Sequence, residues 1–421
     1  MAAARGSLSD RTPAGGAVRA GSDARGSDGA PVALRRLGAR SAPDRPSGLT
    51  VVGSVRHRQF PLRTASAGVK DTSMRYAHEI FVGAVLACTP GFAAEEGRML
   101  LQEPGWPVVF ELDRGQGVTV PAAGKHVRVK VLDYRLDYEP DRFIARNPSR
   151  QTVLGAEVRV EVDGQAATLL CRAFQMPATV GRLRLYVEAV REWAASAGYA
   201  ELPGLEREVR LSAVPAGQSW GNDRLIFPLR AYRWRSSTYQ NTWNSLVPYN
   251  LLYYHRGEDF GAIPDTMDIV APFAGKVAAS PLPNGDGKSN GLTLEAPNGL
   301  QCRLAHMNIE TVDPRLTVGA EAKAGERLAQ TGCTWNGKRS QHNDPHLHIQ
   351  LDWKGHRLGS FPFLMEAYFR TYDDAVVAIA GGHRFALPGE KVVLDGSRSL
   401  ARPGKTVASW SWKLHDGMPR N

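Results

Sequence analysis

A period of two constrains this chain more than any other feature. From Arg98 it runs through short alternating or β-branched stretches, V-V-F-E-L, V-R-V-K-V-L, A-E-V-R-V-E-V and A-T-L-L-C-R-A-F. Further stretches follow from Asp268 to Thr331, each closed by Gly, Pro, Asn or Asp. Alternation puts successive side chains on opposite faces of a strand, so short punctuated runs of this kind predict antiparallel sheets. Arg182 to Val190 fits both periods; its shortness and the preceding Gly181 favour a strand. The exception is Pro362 to Tyr372, where Phe363, Leu364, Ala367 and Tyr368 share one side of a helix. The expected fold is therefore mainly β and multidomain. A β-sandwich-like domain spans 95–235, a second domain 236–373 and a third unit 376–421. Between the first two, Tyr232 to Tyr254 is aromatic and carries only two arginines, which suits an interdomain seam or a groove wall.

The formal charge of +10 is unevenly placed. Residues 1–73 hold 12 Lys and Arg against 5 Asp and Glu, and the remainder holds 40 against 37. Basicity thus belongs to the leader, and a nucleic-acid partner is not expected. That leader is rich in Ala, Gly, Ser, Pro and Arg without a sustained period, a composition expected to be disordered, and Met74 is a better translational start. Residues 74–94 have the charged start, short apolar centre and small-residue exit of a secretory signal. The chain is accordingly expected to be secreted, periplasmic or at the cell surface, with a lipid anchor at Cys88 as the lesser alternative. No apolar run reaches the ~20 residues of a membrane span. Export would permit a Cys302–Cys333 disulfide; unpaired buried thiols are the other reading.

Three separated pieces carry chemistry. His346 and His348 stand two apart in P-H-L-H-I-Q-L-D-W, so a strand presents both imidazoles on one face. His255 and Asp259 are four apart, a spacing able to chelate one ion, and His306 follows the run L-Q-C-R-L-A. Two imidazoles and a carboxylate suit Zn²⁺ and leave a fourth position for water, the open arrangement of catalytic sites. Geometry alone does not decide which of His346 and His348 binds metal.

Tyr254 to Leu351 resembles the lysostaphin-type zinc metallopeptidases that cut peptidoglycan cross-bridges. The match rests on four elements in order: H-x-G-x-D at His255, Gly257 and Asp259; A-P-x-x-G-x-V at Ala271 to Val277; Ala305-His306; and V-G-x-x-x-x-A-G-x-x-L at Val318 to Leu328 followed by Pro345 to His348. The resemblance implies an antiparallel barrel-sandwich-hybrid peptidase domain holding one Zn²⁺ per chain. His255, Asp259 and His348 would be its ligands, and His306 and His346 the catalytic histidines that handle protons and the oxyanion. A peptide or peptidoglycan substrate is implied, cleaved by a metal-activated water. Ser340 to Asp344 departs from the family's usual loop before P-H-L-H, which bears on substrate preference. Glu258 replaces a usually apolar residue, and alternation turns it away from the site. Residues 376–421 resemble the first half of a polycystic-kidney-disease-type (PKD) domain, an immunoglobulin-like module, through L-D-G-S-R-S and W-S-W-K-L-H-D-G. That resemblance implies contact with an extracellular polymer. Two other readings compete. A biotinyl or lipoyl carrier domain would need a modified lysine at a hairpin tip, which Lys276 does not supply. An inactive wall-binding scaffold would be expected to have lost a ligand.

Overall fold

The structure is a computed structural model. It describes residues 3–7 and 96–413, apart from 141–150, 195–201, 203, 222, 235–240, 249–251, 284–288, 341–344, 383–385 and 387. The signal-like segment, Cys88, most of the loop Ser340 to Asp344 and nearly all of the leader lie outside the described residues. Within the leader, the described residues Ala3–Ser7 form a strand paired with Ser409–Lys413.

The upstream domain is a sandwich of two antiparallel sheets. One has the order Arg98–Leu101, Val108–Leu112, Val209–Pro215, Leu183–Val190, Ala178–Val180; the other is Gly117–Ala122, Lys125–Pro140, Gln151–Val162, Gln165–Arg172. The alternation works as read. Val127, Val129 and Val131 are buried in a core shared with Phe110, Val158 and Leu185, while Arg128 between them is exposed. Each such valine contributes about 1.5–3 kcal/mol by leaving water.

The second domain stacks a larger sheet on a smaller one. The larger runs Glu258–Gly261, His346–Trp353, Leu300–Ala305, Leu292–Glu295, Gly275–Ala279, Glu321–Ala322, with His356–Leu358 beside His346–Trp353. The smaller is Asp268–Val270, Arg327–Thr331, Met307–Asn308. The sheets do not close into a barrel. After residue 375 the described strands form only two short ladders, Val376–Val377 with Leu400–Ala401 and Ser409–Lys413 with Ala3–Ser7. An immunoglobulin-like sandwich is not among them. The V-V-L run at Lys391 to Leu394 is not a strand, and Val392 and Val393 are exposed with no described strand alongside to cover them.

The aromatic stretch is an interdomain seam. Trp243 Nε1 donates to the Glu188 carbonyl at 2.9 Å, and Tyr254 Oη donates to the Val153 carbonyl at 2.8 Å. The helix Phe361–Thr371 buries Phe363, Leu364, Ala367 and Tyr368, as its spacing predicts. Its Glu366 accepts from Arg184 Nη2 at 2.7 Å and from the Trp220 amide. Among the described residues the two domains therefore share polar contacts at the junction.

Glu188 is buried at this junction, accepting from Ser212 Oγ and from the Gly359 amide. Burial, opposed by those bonds and by Arg210, raises its carboxyl to about 7 from an ordinary 4.5. The folded chain thus keeps a proton that the unfolded chain has already lost. Stability from this group is complete below pH 4.5 and falls as pH rises towards 7, by about 3 kcal/mol in all. Glu188→Gln should flatten the fall in stability between pH 5 and pH 8 in urea denaturation; an unchanged slope would assign the pH dependence elsewhere.

Candidate metal centre

The centre is built on the strand His346–Trp353, which lies between Glu258–Gly261 and Leu300–Ala305. Asp259 pairs with His348, and Gly261 with His346. Ala305 pairs with His348 from the other side, so His306, the next residue, leaves the sheet beside both histidines. Leu347 and Ile349 point into the core, and the two imidazoles point together to the opposite face.

His255 arrives differently from its spacing. It is not on a strand; it follows Leu252–Tyr254 and precedes a bend at Gly257 that leads into Glu258–Gly261. Its backbone is pinned to Ser245 and Asn244 by bonds of 2.8 and 2.9 Å. Gly257 is required by close approach: a Cβ there would lie 2.6 Å from the Ile349 carbonyl oxygen and 2.8 Å from His348 Cε1.

Three donor atoms converge. His255 Nε2 is 3.1 Å from His348 Nδ1 and 3.2 Å from Asp259 Oδ1, and His348 Nδ1 is 2.8 Å from the same oxygen. His255 Nδ1 lies 2.9 Å from the Gly257 carbonyl, which can only accept. That bond fixes the proton on Nδ1 and turns the Nε2 lone pair inward. Lone pairs this close repel unless a cation lies between them. Tetrahedral zinc with bonds of ~2.0–2.1 Å would hold its ligand atoms about 3.3 Å apart. The donor set and its separations therefore fit Zn²⁺.

The electrostatics agree. Burial alone would raise the Asp259 carboxyl, but His255 and His348 outweigh it and hold the group well below the carboxylate range. Burial also pulls His255 down, and Asp259 overcomes it to leave a net rise. Burial wins at His348, whose value falls despite Asp259.

The other two histidines border the triad. His346 Nε2 stands 3.6 Å from Asp259 Oδ1, beyond hydrogen-bonding reach, whereas His348 is in contact. The His306 ring lies 4.6 Å from that of His346, centroid to centroid. Burial, then the neighbouring His346, pushes His306 down to about 3, so it is neutral near pH 7. Its Nδ1 donates to the Thr334 carbonyl at 2.8 Å, leaving Nε2 as an acceptor. All five residues singled out in the sequence are thus brought together. Glu258 is not: it is fully buried behind the sheet, accepting from the Trp243 amide and Ser360 Oγ, each at 3.1 Å.

Sequence reasoning missed two neighbours. Asn241 donates Nδ2 to Asp259 Oδ2 at 2.7 Å and accepts the Asp259 amide at 2.8 Å, which fixes the carboxylate from behind. Trp335 stacks on His306. Nothing in the spacing announces Asn241. The hairpin turn Asn336-Gly337 beside Trp335 was a readable signal. Cys171, Cys302 and Cys333 are buried and unpaired, so the Cys302–Cys333 disulfide is not formed.

Residues 253–359 match the family described as Peptidase family M23. Among solved structures, the chain is similar to the catalytic domain of the antimicrobial peptidase lysostaphin from Staphylococcus simulans. Identity is 21% over 31% of this chain and 95% of that one, with a TM-score of 0.25. It is similar to whole lysostaphin from the same organism at 20% identity, covering 39% of this chain and 61% of that one, with a TM-score of 0.27. The chain thus spans under two thirds of the whole enzyme. No curated protein matches it.

Proposed function

From the M23-family segment at residues 253–359 we propose that this chain is a zinc endopeptidase that hydrolyses peptide bonds in peptidoglycan, in cross-bridges or stem peptides. The observation that carries the reading is the convergence of His255 Nε2, Asp259 Oδ1 and His348 Nδ1 within 2.8–3.2 Å of one another, beside two further histidines. One Zn²⁺ held there would supply Lewis acidity, lowering the pKa of water from ~15.7 towards ~7.

The chain's own residues would do the rest. His306, whose Nε2 is left as the acceptor by the Nδ1 bond to Thr334, takes the proton of the attacking water and returns it to the leaving amine. His346, on the same face as the ligands, donates to the developing oxyanion. Asn241 keeps the Asp259 carboxylate turned to the site. A wall substrate requires an exported enzyme, in keeping with the signal-like segment at 74–94, and the C-terminal segment would contact extracellular polymer. Among the described residues no helix is long and apolar enough to cross a membrane.

Purified peptidoglycan incubated with the full chain should release soluble peptides with new amino termini. A chelator should abolish the release and added Zn²⁺ restore it. Release untouched by the chelator, or none from the zinc-loaded chain, would contradict the proposal.

A further inference from the structure

We infer that Trp335 is a positioning residue: its indole clamps the plane of the His306 imidazole, so the rim hairpin Thr334–Arg339 sets the orientation of a catalytic histidine. The two rings stack with centroids 4.8 Å apart and planes 2° from parallel. The residue before, Thr334, holds the same imidazole through its carbonyl at 2.8 Å. Two consecutive residues of one short strand therefore fix both remaining freedoms of the ring, its tilt and its rotation. His306 needs such support, because its own backbone is in the left-handed region at φ 62°, where a non-glycine residue persists only if its surroundings hold it.

The clamp is itself anchored. Thr334–Trp335 pairs with Lys338–Arg339 across Asn336 and Gly337, with φ of 48° and 70°, the positive pair of a tight hairpin turn. The Gly337 amide donates to Asn290 Oδ1 at 3.2 Å, and Arg339 Nη2 to Asp265 Oδ2 at 2.6 Å. Asp265 also accepts from Asn308 Nδ2 at 2.6 Å, and Asn308 lies two residues beyond His306. The hairpin and the segment carrying His306 are thus tied to one carboxylate. Trp335 is 43% exposed, so core burial does not explain a tryptophan at this position. A flat ring able to lie on an imidazole does.

The inference rests on the proposed catalytic role of His306, and its test separates the two. W335L keeps an apolar side chain but cannot stack; W335F can. With soluble muropeptides and the zinc-loaded full chain, W335L should lower kcat by about 10–100-fold with KM within about twofold, the scale of a misplaced catalytic group. W335F should recover most of the loss. Independently of activity, the order parameter of the His306 Cε1–H bond is measured by relaxation on the metal-free full chain. It should stay near that of rigid backbone in the wild type and W335F and drop clearly in W335L. A rise in KM with kcat unchanged would make Trp335 a substrate contact and overturn the clamp. An imidazole as ordered in W335L as in the wild type would overturn it as well, whether or not the chain proves to be a peptidase.

Discussion

His348→Ala should leave the chain without zinc and without peptide release, whereas His346→Ala should keep about one zinc per chain and still lose turnover by about 10²–10⁴-fold. The two residues share a strand face and flank the same leucine, so a residue's position on the sheet does not separate them. Distance does: His348 Nδ1 contacts both Asp259 and His255, at 2.8 and 3.1 Å, and His346 Nε2 approaches Asp259 only to 3.6 Å. On the proposed ligand set, removing His348 would take away one of three ligands. Removing His346 would take away the proposed oxyanion donor and leave His255, Asp259 and His348 in place. Elemental analysis alongside peptide release reads both quantities. Equal loss of zinc in the two variants would show that the division of roles is wrong.

Arg210→Ala should cost about 3–5 kcal/mol of stability, the largest effect expected away from the metal centre. Arg210 Nη2 and Nε reach Glu111 Oε1 at 2.7 and 2.9 Å across neighbouring strands, and neither side chain is exposed. Glu111 also accepts the Glu206 and Arg207 amides, at 2.9 and 3.1 Å, so it stays committed to the interior when its arginine goes. The penalty comes from stranding that buried carboxylate. Glu111→Gln combined with Arg210→Met should therefore recover most of the loss, since it removes the stranded charge and keeps an acceptor for those two amides. Urea denaturation of the two variants provides the check, and a loss under about 1 kcal/mol for Arg210→Ala would refute the assignment. Because Glu188 accepts from the Gly359 amide and its carbonyl accepts from Trp243, the upstream sandwich is bonded to the segment that follows it rather than merely tethered to it.

What could be read from the sequence is what short-range pattern controls. Val127, Val129 and Val131 alternate because one sheet face is buried, and the helix at Phe361–Thr371 follows the spacing of its apolar side. The pairing of His346 with His348 follows from strand periodicity, and the motif order supplied His255, Asp259 and His306. The rest depends on contacts between distant segments. His255 lies off the strand because the bend at Gly257 brings it to His348, 93 residues away. Asn241 meets Asp259 only through the fold of the seam. Glu258 breaks the family pattern, yet Trp243 and Ser360 satisfy it across the domain junction. The C-terminal segment shows the converse. L-D-G-S-R-S and W-S-W-K resemble a known module, yet among the described residues only the second run forms a strand.

Zinc K-edge X-ray absorption on the zinc-loaded full chain reads the proposed ligands one shell at a time. His255, Asp259 and His348 predict two imidazole nitrogens and light oxygen donors at ~2.0–2.2 Å, with no sulfur. A scatterer at ~2.3 Å would point to a thiolate such as Cys302 or Cys333. A third imidazole would bring His346 or His306 into the shell, and either result would contradict the site described above.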